Sequence, residues 1–226
     1  RDRLRSRGLG DVYKRQSMNM AVLDYHHQEK WPNGFGQLQS PINLLPATPA
    51  DPSTLKIETS WRVTQEIDDQ VTIRLTGTGR TRIDQDQWQL MQAHIHVPAE
   101  HQITNQHAAE LHFVHQSAIG ALCVVAVLLP LGPDNVVLEQ ILDHFAAHST
   151  RSVAFSLDQL IPQQGTVYRY LGSLTTPPLT EGVAWYVIDQ TAVTIGTQQL
   201  HRYQQLFADN HLSLIHISEP TRPEPI

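Results

Sequence analysis

Apolar and polar side chains alternate along most of this chain, and helical spacing is confined to two short stretches. Residues 55–61 and 71–75 alternate well enough for half-buried strands. Residues 81–91 read as two short strands around Asp84-Gln85-Asp86. Residues 123–129 form an unbroken run rich in Val and Leu, the mark of a strand buried on both faces, and Pro130 to Pro133 ends it. Further strands are predicted over 167–171 and 183–188, with turns at Trp31-Pro32-Asn33-Gly34 and Gly77-Thr78-Gly79. Val137, Leu138, Ile141, Leu142 and Phe145 recur at helical spacing, which predicts a helix over 136–148 with Asp134 or Asn135 as its N-cap. A helical turn over 157–162 and a short helix over 198–207 complete the set. There is no internal repeat and no linker, so the pattern predicts a single, mainly β domain with a few short peripheral helices.

The length of 226 residues suits one well-cored domain. Sixteen basic against twenty-two acidic residues make the chain mildly acidic, which argues against nucleic acid or an anionic membrane as partner. No apolar run is long enough to span a bilayer. Cys123 is the single cysteine, so no internal disulfide is expected, and a reducing, cytoplasmic setting fits best. A periplasmic setting stays open if the true N-terminus is missing. Residues 1–17 and 212–226 share no pattern with the rest and look like translated sequencing-adapter read-through. They are expected to be non-native tails around a domain over 18–211 that would be cut short at its C-terminus.

Chemistry concentrates in residues 92–115, QAHIHVPAEHQITNQHAAELHFVH, which hold six of the thirteen histidines. His94 and His96 are two apart, so on a strand both leave one face, together with Gln92. Glu110 and His112 repeat the pattern, with Leu111 and Phe113 on the reverse face. Two such strands side by side bring His94, His96 and His112 to one point. Three neutral imidazoles with an open fourth position suit a catalytic zinc site. Gln92 and Glu110 are placed to accept the second ring N–H of a ligand and so fix its tautomer. Either HxH or ExH alone is a weak motif; the two in matching parity are much stronger.

Three blocks, QSPIN at 39–43, QAHIHVPAEH with ELHFVH within 92–115, and YLGSLTTPPLTEGVAW at 170–185, occur in an order that resembles the α-class carbonic anhydrases of bacterial type. The resemblance covers roughly residues 20–210 and implies a large, mostly antiparallel twisted β-sheet with short helices at its edges. It implies reversible hydration of carbon dioxide to bicarbonate and a proton, by attack of hydroxide bound to Zn²⁺ on His94, His96 and His112. Gln92 and Glu110 would support His94 and His112. Thr175 would accept a hydrogen bond from the hydroxide and donate its own to Glu100. Val114, Val124, Leu174, Val183 and Trp185 would hold carbon dioxide, with Thr176 on the polar side.

The sequence departs from that family in three places. The usual proton-shuttle histidine falls near Asp69 or Gln70, where there is none, so slower, buffer-dependent proton release is expected; His26 or His27 could lie near the rim. Leu179 stands after TTPP and residues 31–38 hold no cysteine, so the disulfide of secreted bacterial members has no counterpart. The segment resembling NxRPxQP that supplies a backbone acceptor near the zinc does not follow Asn210-His211, which leaves the outer partner of His96 unassigned. Two alternatives are weighed. His94-x-His96-xxx-Glu100 also matches the ligand spacing of metal-dependent cupins, but Trp88 and His107 stand where cupins place glycines. A catalytically silent binding module would lose a zinc histidine, and all three are present.

Overall fold

The computed structural model describes residues 39–44, 49–50, 54–104 and 107–207. The turn expected at 31–34, His26, His27 and both tails lie outside the described residues. The strands are β1 (Pro49–Ala50), β2 (Leu55–Asp68), β3 (Ile73–Ile83), β4 (Asp86–His96), β5 (Ala109–Gln116), β6 (Leu122–Leu129), β7 (Thr150–Ser156), β8 (Thr166–Ser173) and β9 (Glu181–Asp189). Two helices, α1 (Val136–His144) and α2 (Thr197–Leu206), and a 3₁₀ turn at Asp158–Leu160 accompany them. The strands form one nine-stranded sheet in the order β1-β8-β9-β6-β5-β4-β3-β2-β7. Every neighbouring pair runs antiparallel except β6 and β9.

The sheet divides the interior. One face carries Ile73, Leu75, Ala93, Ile95, Leu111 and Phe113, which pack with Val137, Leu138 and Ile141 of α1 and Tyr203 of α2. The other face carries Val114, Val124, Ala126, Leu128, Val183, Trp185 and Val187. Strand β6 is buried along its whole length because it serves both faces, which is why it lacks alternation in the sequence. Between the faces of β5, Leu111 and Phe113 belong to the helix side while His112 and Val114 belong to the other.

Three elements differ from the sequence reading. Gly77-Thr78-Gly79 is no turn; it lies within β3, where β2 bulges against it. A Cβ on Gly77 would sit 2.0 Å from the Arg62 carbonyl oxygen, and one on Gly79 2.7 Å from Trp61 Cδ1, so these glycines permit a close approach of strands. Gly77→Ala is expected to destabilise the fold by about 3 kcal/mol, the upper range for overpacking, since the clash is with backbone; urea unfolding of the variant measures it. Strand β7 was not predicted, because it is an edge strand whose residues are mostly exposed. Helix α1 starts as expected, with the Asn135 side chain accepting from the N–H groups of Val137 and Leu138. It stops at His144 rather than 148: Phe145 turns extended to meet Phe207, and Arg151 Nη1 donates to the His144 carbonyl at 2.8 Å.

Buried polar groups on the helix side are treated in two ways. Trp61 Nε1 donates to Thr81 Oγ1 at 2.8 Å, which contacts His115 Nε2 at 2.8 Å, while His115 Nδ1 donates to the Phe113 carbonyl at 2.8 Å. Burial pushes the His115 pKa down to about 4, so the ring is a neutral part of the core. Glu66, by contrast, faces Leu75 across β2 and β3 and is buried with neither carboxylate oxygen hydrogen-bonded among the described residues. Burial pushes its pKa up to about 7 from an ordinary 4.5. A folded pKa above the unfolded one means stability is lost as pH rises from the unfolded value through the folded one. Glu66→Leu is therefore expected to stabilise the protein at pH 8 by up to about 3 kcal/mol and to lose that advantage by pH 4.5. Urea midpoints at the two pH values check this; an equal gain at both would show that ionisation of Glu66 is not the cause.

Candidate metal centre

Strands β4 and β5 pair so that His94 lies directly opposite His112, and His96 opposite Glu110. Partners across a ladder share a face, so the two-residue spacing puts all three rings together. Ring centroids are 4.9 Å apart for His94 and His96, 5.2 Å for His94 and His112, and 4.5 Å for His96 and His112. One nitrogen from each ring lies within 4.8 Å of the others. His96 and His112 are buried; His94 is half-buried and marks the side on which the cluster opens.

Each ring is aimed through its other nitrogen. His94 Nδ1 contacts Gln92 Oε1 at 2.9 Å, His96 Nδ1 lies 3.2 Å from Glu100 Oε1, and His112 Nε2 contacts Glu110 Oε1 at 2.8 Å. The nitrogens left for a shared ligand are Nε2 of His94, Nε2 of His96 and Nδ1 of His112. Glu100 thus stands where the sequence left the outer partner of His96 unassigned. Its other oxygen is 3.9 Å from His112 Nε2. Burial, then the neighbouring His96 and His112, then the Arg74 guanidinium hold the His94 pKa well below the usual histidine range. Burial also lowers that of His112, against the opposing pull of Glu110. Neutral imidazole is the form that binds metal.

His101 was given no role from the sequence, yet it is central to the support. Glu110 Oε2 accepts from the backbone N–H of Glu100 and of His101, both at 2.8 Å, and Oε1 meets His101 Nδ1 at 2.6 Å. Although burial opposes its charge, His101 and His112 hold the Glu110 carboxyl well below the usual carboxylate range. His101 Nε2 contacts the Tyr170 hydroxyl at 2.5 Å, and Tyr170 donates to Ser40 Oγ at 2.8 Å. Ser40 Oγ accepts from the Ser173 N–H at 3.0 Å, and Trp185 Nε1 donates to the Ser173 carbonyl at 2.9 Å. The chain of contacts ties three distant blocks, around Ser40, His101 and Ser173, to one carboxylate. His101, Glu110 and His112 also lie close enough for a metal. Because Glu110 already takes hydrogen bonds from both rings, that group reads as a hydrogen-bonded brace.

Val114, Val124, Leu174, Val183 and Trp185 all fall in the apolar cluster on the histidine face. Thr175 is buried and Thr176 half-buried in the turn between β8 and β9, which the Leu174 N–H closes onto the Thr180 carbonyl at 2.9 Å and the Leu179 N–H onto the Thr176 carbonyl at 3.0 Å. Asp69 and Gln70 occupy the loop between β2 and β3. Asp69 Oδ1 accepts from the Thr72 N–H at 3.0 Å, and Gln70 is exposed with φ 77°.

The eukaryotic-type carbonic anhydrase profile matches residues 24–224. The chain belongs to that family. A carbonic anhydrase of Pectobacterium atrosepticum is 32% identical over 178 residues, 76% of this chain and 72% of that protein. One of Klebsiella pneumoniae is 32% identical over 184 residues, 74% and 72% respectively. Among solved structures, the α-carbonic anhydrase of Photobacterium profundum superposes with a TM-score of 0.79 at 28% identity, covering 90% of this chain and 98% of its own. That of Thermovibrio ammonificans, solved with the inhibitor sulfanilamide, gives 0.75 at 27% identity over 83% and 85%. The family's activity, carbonic anhydrase, is accordingly this chain's. Its mostly antiparallel sheet matches the α-carbonic anhydrase fold, and Cys123 is a buried free thiol. No described helix is long and apolar enough to cross a membrane.

Proposed function

We propose that His94, His96 and His112 hold a catalytic zinc ion and that the protein interconverts carbon dioxide and bicarbonate without a histidine proton shuttle. The observation that carries this reading is that each of the three converging rings is held by a separate partner, Gln92, Glu100 or Glu110, on its outer nitrogen. Three neutral nitrogen donors without sulfur suit a zinc ion that keeps one position open. Zinc supplies Lewis acidity that makes water nucleophilic near neutral pH, a property for which carbonic anhydrases are the standard illustration.

The residues of the chain supply the rest. Gln92, Glu100 and Glu110 fix tautomer and ring direction. Val114, Val124, Leu174, Val183 and Trp185 offer the apolar surface that a molecule as weakly polar as carbon dioxide needs beside the nucleophile. Thr175 orients the nucleophile by directing its own proton to Glu100, and Thr176 stands on the polar side. With Asp69 and Gln70 at the loop that would carry a shuttle, the product proton leaves to buffer. The buried, lone Cys123 suits a cytoplasmic protein. The test is elemental analysis for zinc together with stopped-flow hydration of carbon dioxide at several buffer concentrations. One zinc per chain and a rate that climbs with buffer support the reading. Absence of zinc, or retained iron or manganese, overturns it.

A further inference from the structure

Arg74 is a cationic side chain beside the histidine cluster. Across β3 and β4, Leu75 pairs with Ala93 and Thr76 with Gln92. One step further along the same register sets Arg74 opposite His94. Cross-strand partners share a face, with Cβ atoms about 4.5–5.5 Å apart. Arg74 therefore projects on the side of Gln92 and His94, at the half-buried edge of the cluster, with its own side chain 20% exposed. Its contact among the described residues is one long ion pair, Nε to Asp69 Oδ2 at 3.6 Å. Asp69 in turn spends Oδ1 on the backbone N–H groups of Thr72, at 3.0 Å, and Val71, at 3.4 Å. Among the described residues, the terminal nitrogens of the Arg74 fork are left for another acceptor.

We propose that Arg74 makes the open side of the His94, His96 and His112 cluster a site for a small planar oxyanion. The guanidinium presents two parallel N–H groups that match the two oxygens of a carboxylate-like anion. Bicarbonate is the anion of that shape that the reaction makes there, and in this the proposal rests on the zinc reading. Asp69 tunes the site: its carboxylate competes for Arg74 and lowers its hold on an anion. The two residues thus act with opposite signs, which a purely structural ion pair would not do.

Nitrate, a planar monoanion that turnover does not consume, is the probe. It is titrated by calorimetry at constant ionic strength into the zinc-loaded and the metal-free protein, after elemental analysis of each. Arg74→Gln is expected to weaken nitrate binding at least about five-fold, as loss of a charge-assisted pair should. Asp69→Asn, whose amide oxygen still accepts from Thr72 and Val71, is expected to tighten it by about three-fold. No nitrate binding to the wild type, no change in Arg74→Gln, or weakening in Asp69→Asn overturns the proposal. If the protein retains no zinc, the zinc reading fails by that measurement alone, and the ratio between wild type and Arg74→Gln is judged on the metal-free protein. Circular dichroism melts of both variants show that a loss of binding is not a loss of fold.

Discussion

His94→Ala is expected to abolish measurable hydration of carbon dioxide while leaving the fold intact. His94 is half-buried, at the open edge of the cluster, and its removal takes nothing from either apolar core. Apparent energies for structural zinc in small domains are about 10–16 kcal/mol for four ligands, so one ligand's share is roughly 3–4 kcal/mol, or about two to three orders of magnitude in affinity. Dialysis against a chelator followed by elemental analysis reads the zinc loss, and stopped-flow measurement reads the activity. A variant that keeps one zinc and wild-type turnover would show that the ion does not sit on His94.

Glu110→Ala is expected to be the most damaging single truncation near the site. Glu110 is fully buried and receives four contacts: the N–H groups of Glu100 and His101, and the rings of His101 and His112. Alanine leaves four buried polar groups unsatisfied, each costing about 1–3 kcal/mol. The sum is comparable with a whole domain's stability of about 5–15 kcal/mol. Little folded protein is expected at 37 °C. Glu110→Gln keeps the shape but must turn an amide N–H towards donors; it is expected to fold less stably and to lose zinc affinity by about 10–100-fold, the usual effect of removing a ligand's outer partner. Thermal melts and zinc dissociation rates of the two variants separate the structural loss from the metal loss.

The convergence of the three histidines was legible in the sequence because it is written in strand parity. Gln92, His94 and His96, then Glu110 and His112, need only a period of two and a neighbouring strand to converge, and the structure supplies both. The role proposed for the apolar wall comes only from resemblance, since a valine such as Val114 or Val124 looks like any core valine. Contacts made by chain reversal were out of reach. His101 meets Tyr170, and through it Ser40, only because the segment after β4 folds back onto Glu110 of β5, and nothing local records that. Bulges hid other features: they let β2 continue from Leu55 to Asp68 with its inward positions out of step, and they turned the Gly77-Thr78-Gly79 signal from a turn into a point of strand contact.

The histidine cluster and the apolar wall differ in how far along the chain their parts lie. The histidine triad comes from two consecutive strands, β4 and β5, within residues 94–112. The apolar wall joins Val114 and Val124 to Leu174, Val183 and Trp185, and it closes only through the parallel pairing of β6 with β9. Loop closure before such a pairing carries a larger entropic cost and slows folding. In assembly, then, the histidine-bearing strand pair is the early, local unit and the apolar wall the late, global one. If the three histidines hold zinc as proposed, a nascent chain presents them to metal well before it has a pocket in which that metal could act on anything.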